Sequence, residues 1–373
     1  MSGPRIEVDL HKIRHNTRTL VGRLRSRGIR TTAVTKAVCG HPSIARAMLD
    51  SGAAGLAEAR LRNVQRLRKA RIKCPITLIR TPMLSQANDV VKDCETSYNT
   101  EMAVIALLAA AAIRQNKVHG IILMVEMGDL REGIMPQNLA GIAQQVVNMP
   151  GVALKGIGAN FACLHGIAPT AAKMQALSDL ATDVERQCGR FLLTVSGGNS
   201  ANLPWAFAGQ ANGRINDLRI GEAILLGVDP ITGDQIGGMF HDAFTLVAEI
   251  IEKKSVISYP HLNVFDPTLA SFLLASTTQE TTQLILAIGR QDTDIAGLSM
   301  PPGHTLIGAT SDHLVIGAKH TALCVGSEMR FQMSYGALMR AMAAPDVEVE
   351  LLRDRRLSNV RAKYGPDKHV ELA

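Results

Sequence analysis

The stretch Thr31-Thr32-Ala33-Val34-Thr35-Lys36-Ala37-Val38-Cys39-Gly40-His41 is a short β-branched apolar run that ends in a lone cation and a Cys-Gly turn. Runs of this kind form parallel strands buried on both faces. A lysine where such a strand opens into a loop is partly desolvated, and desolvation favours the neutral, nucleophilic amine. That chemistry suits a Schiff base with an aldehyde cofactor. The plain alternative is a lysine that snorkels to water from a strand end.

Outward from this strand, helix-period segments occupy residues 10–27, 42–51, 59–70, 100–115, 136–148 and 169–188. Compact apolar runs occupy 32–36, 54–57, 76–80, 96–99, 120–127, 154–161, 192–196 and 218–224. Short apolar strands alternating with helices indicate βαβ units and a parallel sheet. Eight of them predict the α/β class and, within it, a (β/α)8 TIM-like barrel over residues 9–233. Beyond residue 234 the texture changes. The runs 243–251, 282–288, 305–307, 314–316, 322–325 and 328–333 are divided by Gly, Pro and polar clusters, and a helical period returns only at 336–343. This predicts a mostly β C-terminal domain, 234–345, joined by residues 1–8, and a charged tail, 346–373.

Composition agrees with two domains, because 373 residues exceed the usual size of a single core. Aromatic residues are only 3% of the chain, so the core must be built from Leu, Ile, Val, Ala and Met. Arg5, Asp9, His11, Lys12 and Arg14 interrupt any signal-peptide-like apolar region, and the longest apolar stretch, 102–113, is too short to span a bilayer. The expectation is a cytoplasmic protein with no membrane partner. The six cysteines form no C-x-x-C pair and have no histidine at metal spacing, which predicts neither disulfides nor a metal site. The formal charge of +7 is scattered over 60–73 and the tail without aromatic interleaving, which argues against nucleic acid.

Catalytic groups of such barrels sit at the carboxyl ends of the strands, and phosphate is often held after strands seven and eight. The seventh run leads into Ser196-Gly197-Gly198-Asn199-Ser200, which is either a phosphate cradle or a glycine-rich turn with an ordinary N-cap. The eighth contains Leu218-Arg219-Ile220-Gly221-Glu222-Ala223-Ile224, a second glycine-bearing turn. Arg219 would point into the barrel mouth, where its charge needs an anion or a rim partner such as Glu222. The fifth ends in Glu126-Met127-Gly128-Asp129-Leu130-Arg131-Glu132-Gly133-Ile134. There Arg131 either grips an oxyanion or forms a surface pair with Asp129 or Glu132. In the second domain, Gly308-Ala309-Thr310-Ser311-Asp312-His313 reads as a turn, since adjacent side chains on a strand face opposite ways and cannot form a triad. Tyr335, in Ser334-Tyr335-Gly336, is either a half-buried structural residue or a phosphate donor.

These segments together, with Ile6-Glu7-Val8-Asp9-Leu10 and Ala287-Ile288-Gly289-Arg290-Gln291-Asp292, resemble the fold-type III pyridoxal-phosphate amino-acid racemases, the alanine racemase superfamily. The resemblance is strongest to the ornithine racemase group and covers nearly the whole chain. It implies that Lys36 forms the Schiff base with pyridoxal 5'-phosphate and acts as one of two racemisation bases. Ser196, Gly198, Asn199, Ser200, Gly221, Glu222 (by its backbone) and Tyr335 match positions around the cofactor and its phosphate. Arg219 matches the arginine facing the pyridine nitrogen, and a guanidinium there leaves that nitrogen unprotonated. Arg131 matches the arginine near the cofactor phenolate and substrate carboxylate. Asp312 matches a residue that reaches the partner subunit's active site, which implies a head-to-tail homodimer.

Three positions depart from the alanine racemase pattern. Cys39 stands where that pattern has a tyrosine, and Asn160, in Ala159-Asn160-Phe161-Ala162, replaces a ring-supporting histidine. Tyr259, in Ser258-Tyr259-Pro260-His261, is the loose match for the opposite-face base and could equally be a loop aromatic. The implied activity is racemisation of a small-molecule amino acid, ornithine or lysine before others. The alternatives are a broad-specificity, alanine or serine racemase, a fold-type III decarboxylase, and a non-catalytic pyridoxal-phosphate homeostasis protein. Single-domain carriers of this fold lack the β domain expected here.

Overall fold

The computed structural model describes residues 3–162, 168–256 and 281–352. Contacts divide the chain into two compact units, residues 13–241 and residues 1–12 with 242–373. In chain order the elements up to the last barrel helix are β1 (Arg5–Val8), α1 (Leu10–Arg25), β2 (Arg30–Val34), α2 (Pro42–Leu49), β3 (Gly55–Glu58), α3 (Leu61–Lys69), β4 (Ile76–Leu78), α4 (Ala87–Asp93), β5 (Thr96–Asn99), α5 (Met102–Arg114), β6 (His119–Val125), α6 (Pro136–Val147), β7 (Val152–Ala159), α7 (Ala171–Cys188), β8 (Thr194–Ser196), α8 (Leu203–Phe207), β9 (Asp217–Ile220) and α9 (Glu222–Leu226).

Strands β2 to β9 form a closed parallel barrel, with β9 pairing back onto β2. The reason is visible in β3 and β6, where every residue is buried, so each strand needs cover on both faces. Helices supply it: α5 turns Val104, Ile105, Leu108 and Ala112 inward. Helices α2 and α6 open on Pro42 and Pro136, where a missing N–H costs nothing, and α7 is capped by Thr170 and ends on Gly189 in the left-handed region.

The structure corrects several sequence expectations. Strand β2 stops at Val34, and Lys36–Val38 is a single 3-10 turn. The run 218–224 is strand only to Ile220, because the backbone turns at Gly221 and Glu222 opens α9. The barrel unit reaches 241 rather than 233, since Asn16 on α1 binds the backbone N–H and carbonyl of Phe240 at 2.8 and 2.7 Å and the Ile224 carbonyl at 3.1 Å. One irregularity matters later. Between the pairs Ile121–Leu154 and Ile122–Gly156, β7 carries an extra residue, Lys155.

The second unit is an antiparallel sheet built on β10 (Phe244–Val256), β11 (Thr281–Leu286), β12 (Leu298–Ser299), β13 (His304–Ala309), β14 (Leu314–Ala318), β15 (Glu328–Met333) and β16 (Glu348–Leu351). Its order is β12-β15-β10-β11-β14-β13, and β1 joins antiparallel to β10. Strand β16 pairs parallel with β1, so residues 348–351, expected in the charged tail, belong to the sheet. Alternating Glu348-Val349-Glu350-Leu351 suits an edge strand, and Arg5 pairs with Glu350 at 3.0 Å. The run 322–325 is loop, because Lys253 Nζ caps the Leu323 carbonyl at 2.8 Å in place of a ladder.

Candidate active site

The turn after β2 fixes Lys36. Thr35 is fully buried, its N–H donates to the Ala57 carbonyl at 3.0 Å, and its hydroxyl donates to Glu58 Oε2 at 3.0 Å. Cys39 adopts the left-handed conformation, and Gly40, at φ 62, passes so close to Asn63 that a Cβ there would lie 2.9 Å from its carbonyl oxygen. Arg66 donates to the Cys39 carbonyl at 2.8 Å. The lysine therefore projects from an immobilised corner at the carboxyl end of the barrel, half-buried. Glu58 ends β3 beside it, fully buried, and burial pushes its carboxyl up although two backbone N–H groups and Thr35 donate to it.

Strand β9 runs beside β2 with Ala33 opposite Ile220. A Cβ on Gly221 would stand 3.0 Å from Val34 Cβ, tighter than an ordinary contact, so the glycine eases the close passage of the β9 turn beside β2. Glu222 follows at the start of α9. Burial pushes its carboxyl up to about 7, with the Lys36 ammonium acting against the shift and Asp229 adding to it. The loop after β8 is tied to this turn, because Ser200 Oγ accepts from the Ala223 N–H at 3.2 Å. Asn199 is occupied as a cap: its side chain accepts from the Ala201 N–H at 2.9 Å and donates to the Phe161 carbonyl at 2.8 Å. At Gly198, φ 131, a Cβ would collide with the Asn202 side chain that closes the turn.

Arg219 is 3% exposed at the barrel centre. Its Nη1 donates to the Tyr98 hydroxyl at 3.1 Å and to Ser196 Oγ at 2.6 Å, and its Nη2 to the Ala159 carbonyl at 2.7 Å and Asn160 Oδ1 at 2.6 Å. Glu222, the rim partner considered from sequence, takes no part. Ser196 passes the interaction on, donating to Asp217 Oδ2 at 2.7 Å, while Thr32 donates to Asp217 Oδ1 at 2.6 Å. All four direct acceptors are neutral, and among the described residues none accepts from Nε–H. A guanidinium held this way fits a neutral acceptor such as an unprotonated pyridine nitrogen, and its own fixed charge would resist a protonated one. The donor set thus suits pyridoxal phosphate. Lys36 would meet its aldehyde, Arg219 its ring, and the tied loops after β8 and β9 its phosphate.

The remaining expected positions are less concentrated. Arg131 pairs with Glu132 at 3.0 Å and approaches the buried Asp129 at 3.7 Å. In the second unit, Asp312 lies in the β13–β14 turn and accepts from Gln291 Nε2 at 2.7 Å and from Ser311 Oγ at 2.7 Å. Tyr335 opens the helix Tyr335–Ala341, which Ser334 caps. Tyr259 lies outside the described residues. Sequence reading missed Tyr98 and Asp217. Tyr98 lies on the polar run Thr96-Ser97-Tyr98-Asn99, and the available signal was that a tyrosine buried on a barrel strand needs a partner for its hydroxyl.

The barrel thus carries a lysine just after its first strand and a buried arginine on its last. The chain belongs to the alanine racemase family: the family model described as "Alanine racemase, N-terminal domain" matches residues 8–230. It is 33% identical to an ornithine racemase of Acetoanaerobium sticklandii over 94% of this chain and 99% of that one. It is 34% identical to a lysine racemase of Thermotoga maritima over 92% of this chain and 97% of that one. An alanine racemase from Streptomyces lavendulae shares the fold, with a TM-score of 0.78 at 20% identity over 95% of this chain and 98% of that one.

Proposed function

We propose that the protein is a pyridoxal-phosphate-dependent racemase of a basic amino acid, ornithine or lysine. The observation that carries this is the full-length similarity to an ornithine racemase and a lysine racemase, in a chain whose Lys36 follows β2 and whose Arg219 lies on the adjoining strand β9. When bound, pyridoxal phosphate supplies the electron sink that makes the Cα proton removable. Lys36 holds the cofactor and then takes or returns that proton on one face. Tyr259 is the proposed base on the other face. Arg219, kept flat by Tyr98, Ser196 and Asn160, denies the ring nitrogen a proton and so favours simple reprotonation over competing reactions. Arg131 orients the substrate carboxylate from its loop. Asp312 and a head-to-tail homodimer complete the reading, in a cytoplasmic setting.

The test is chiral analysis after incubation of the cofactor-loaded protein with L-ornithine, L-lysine and L-alanine in turn. D-ornithine or D-lysine should form, and neither should form with Lys36→Ala, which should also lack the visible absorbance of bound cofactor. Cofactor absorbance without any D-isomer would leave a binding protein and sink the racemase reading.

A further inference from the structure

At the opposite, amino-terminal mouth the barrel holds a cavity of about 270 Å³, walled by side chains or backbone from all eight strands. Barrels of this type normally fill their interior with branched apolar layers. Here the lowest layer contains Arg30, Thr77, Thr96, Lys155, Thr194 and Asp217 instead, and Tyr98 with Arg219 forms the roof.

Lys155 is the extra residue of the β6–β7 irregularity, and such a bulge re-aims a side chain that the regular pleat would place elsewhere. Its stem crosses Gly120, where a Cβ would stand 3.0 Å from Lys155 Cγ and 2.6 Å from Thr96 Oγ1. Among the described residues no carboxylate lies within 4.0 Å of its ammonium. Among the described residues Arg30 donates only to the neutral Thr194 Oγ1, at 3.1 Å, and the Leu193 carbonyl, at 3.4 Å. Asp217, the lone carboxylate in the wall, is engaged by Thr32 and by the Ser196 that also serves Arg219. Two cations with no counter-ion among the described residues thus face a ring of hydroxyl donors, which is the chemistry that selects oxyanions. The volume lies below the roughly 300 Å³ at which drug-sized ligands begin to fit.

We propose that the amino-terminal mouth of the barrel is a binding site for a small oxyanion, held by Lys155 and Arg30 with the hydroxyls of Thr96 and Thr194. The inference is independent of the racemase reading. Isothermal titration of the cofactor-loaded protein, whose own phosphate site is then filled, tests it with inorganic phosphate and separately with succinate. At least one probe should show a single saturable site. Its affinity should fall about tenfold or more in Lys155→Met and in Arg30→Gln, as expected for lost charge-assisted bonds. It should be unchanged in Lys92→Met, which removes an exposed lysine on α4. If neither probe binds, or if both cavity variants keep native circular dichroism and full affinity, the proposal fails.

Discussion

The Arg219 guanidinium lies 4.7 Å from the centroid of the Tyr98 ring and also donates to that residue's hydroxyl at 3.1 Å. Face and edge of one aromatic side chain thus hold the same cation, and burial pushes the phenol up. Tyr98→Phe keeps the ring and leaves one Nη1 hydrogen without its acceptor, so a loss of about 1–3 kcal/mol is expected in urea unfolding. Tyr98→Ala should cost about 3–5 kcal/mol through the cavity it opens. If Arg219 faces the cofactor ring, the Phe variant should also shift the visible absorbance maximum. An unchanged unfolding midpoint in Tyr98→Phe would show that the hydroxyl contact is dispensable.

Gly158 makes that contact possible. A Cβ there would lie 2.9 Å from Tyr98 Cε1, 3.2 Å from Ser196 Cβ and 3.3 Å from Arg219 Nη1. Gly158→Ala should destabilise by about 1–3 kcal/mol through overpacking. Combined with Tyr98→Leu, which clears the nearest atom, its additional cost should shrink. Strict additivity in the double-mutant cycle would place the strain elsewhere.

Glu222 predicts a pH signature. Its carboxyl is pushed up to about 7 from an ordinary value of 4.5, chiefly by burial. Between those values the folded chain holds a proton that the unfolded chain has released, so stability falls as pH rises through this window. Glu222→Gln cannot titrate and should remove that component of the slope. Denaturant midpoints at pH 4.5, 6 and 8 for both proteins check this, and parallel curves would refute the shift.

His119 predicts the opposite slope. It is 1% exposed, its Nε2 lies 2.8 Å from Ser97 Oγ, and burial holds the imidazole down at about 4 against an ordinary 6.5. The unfolded chain takes up a proton that the folded chain refuses, so stability present above pH 6.5 is lost as pH falls towards 4. From pH 6.5 to 5 this amounts to about 2 kcal/mol. His119→Gln, which keeps a partner for Ser97, should lose less stability over that interval in urea titrations.

Much of the architecture and part of the site are legible along the chain, and the reason is locality. Short, β-branched unbroken runs such as Ile121-Ile122-Leu123-Met124-Val125 read as strands covered on both faces. Lys36, the Ser196–Ser200 turn and Gly221 each announce themselves within a few residues. Arg131 is equally visible, yet the sequence left its two readings open, and the structure places it against Glu132. The run Thr96–Asn99 looks too polar for a barrel interior, and only its neighbours show why it belongs there.

The sequence by itself determined that β-branched runs, helical periods and glycine turns would alternate into a barrel, because each signal depends on a few consecutive residues. Only the tertiary structure decided what Arg219 touches. Tyr98 lies 121 positions away in sequence, Asn160 lies 59 away, and Ser196 lies 23 away. Barrel closure through β9 and β2 brings Asp217 to Thr32 across 185 residues. The same holds for Lys155, whose direction follows from a one-residue slip between β6 and β7. Register is set by how neighbouring strands bury their faces together, and no single strand carries that information.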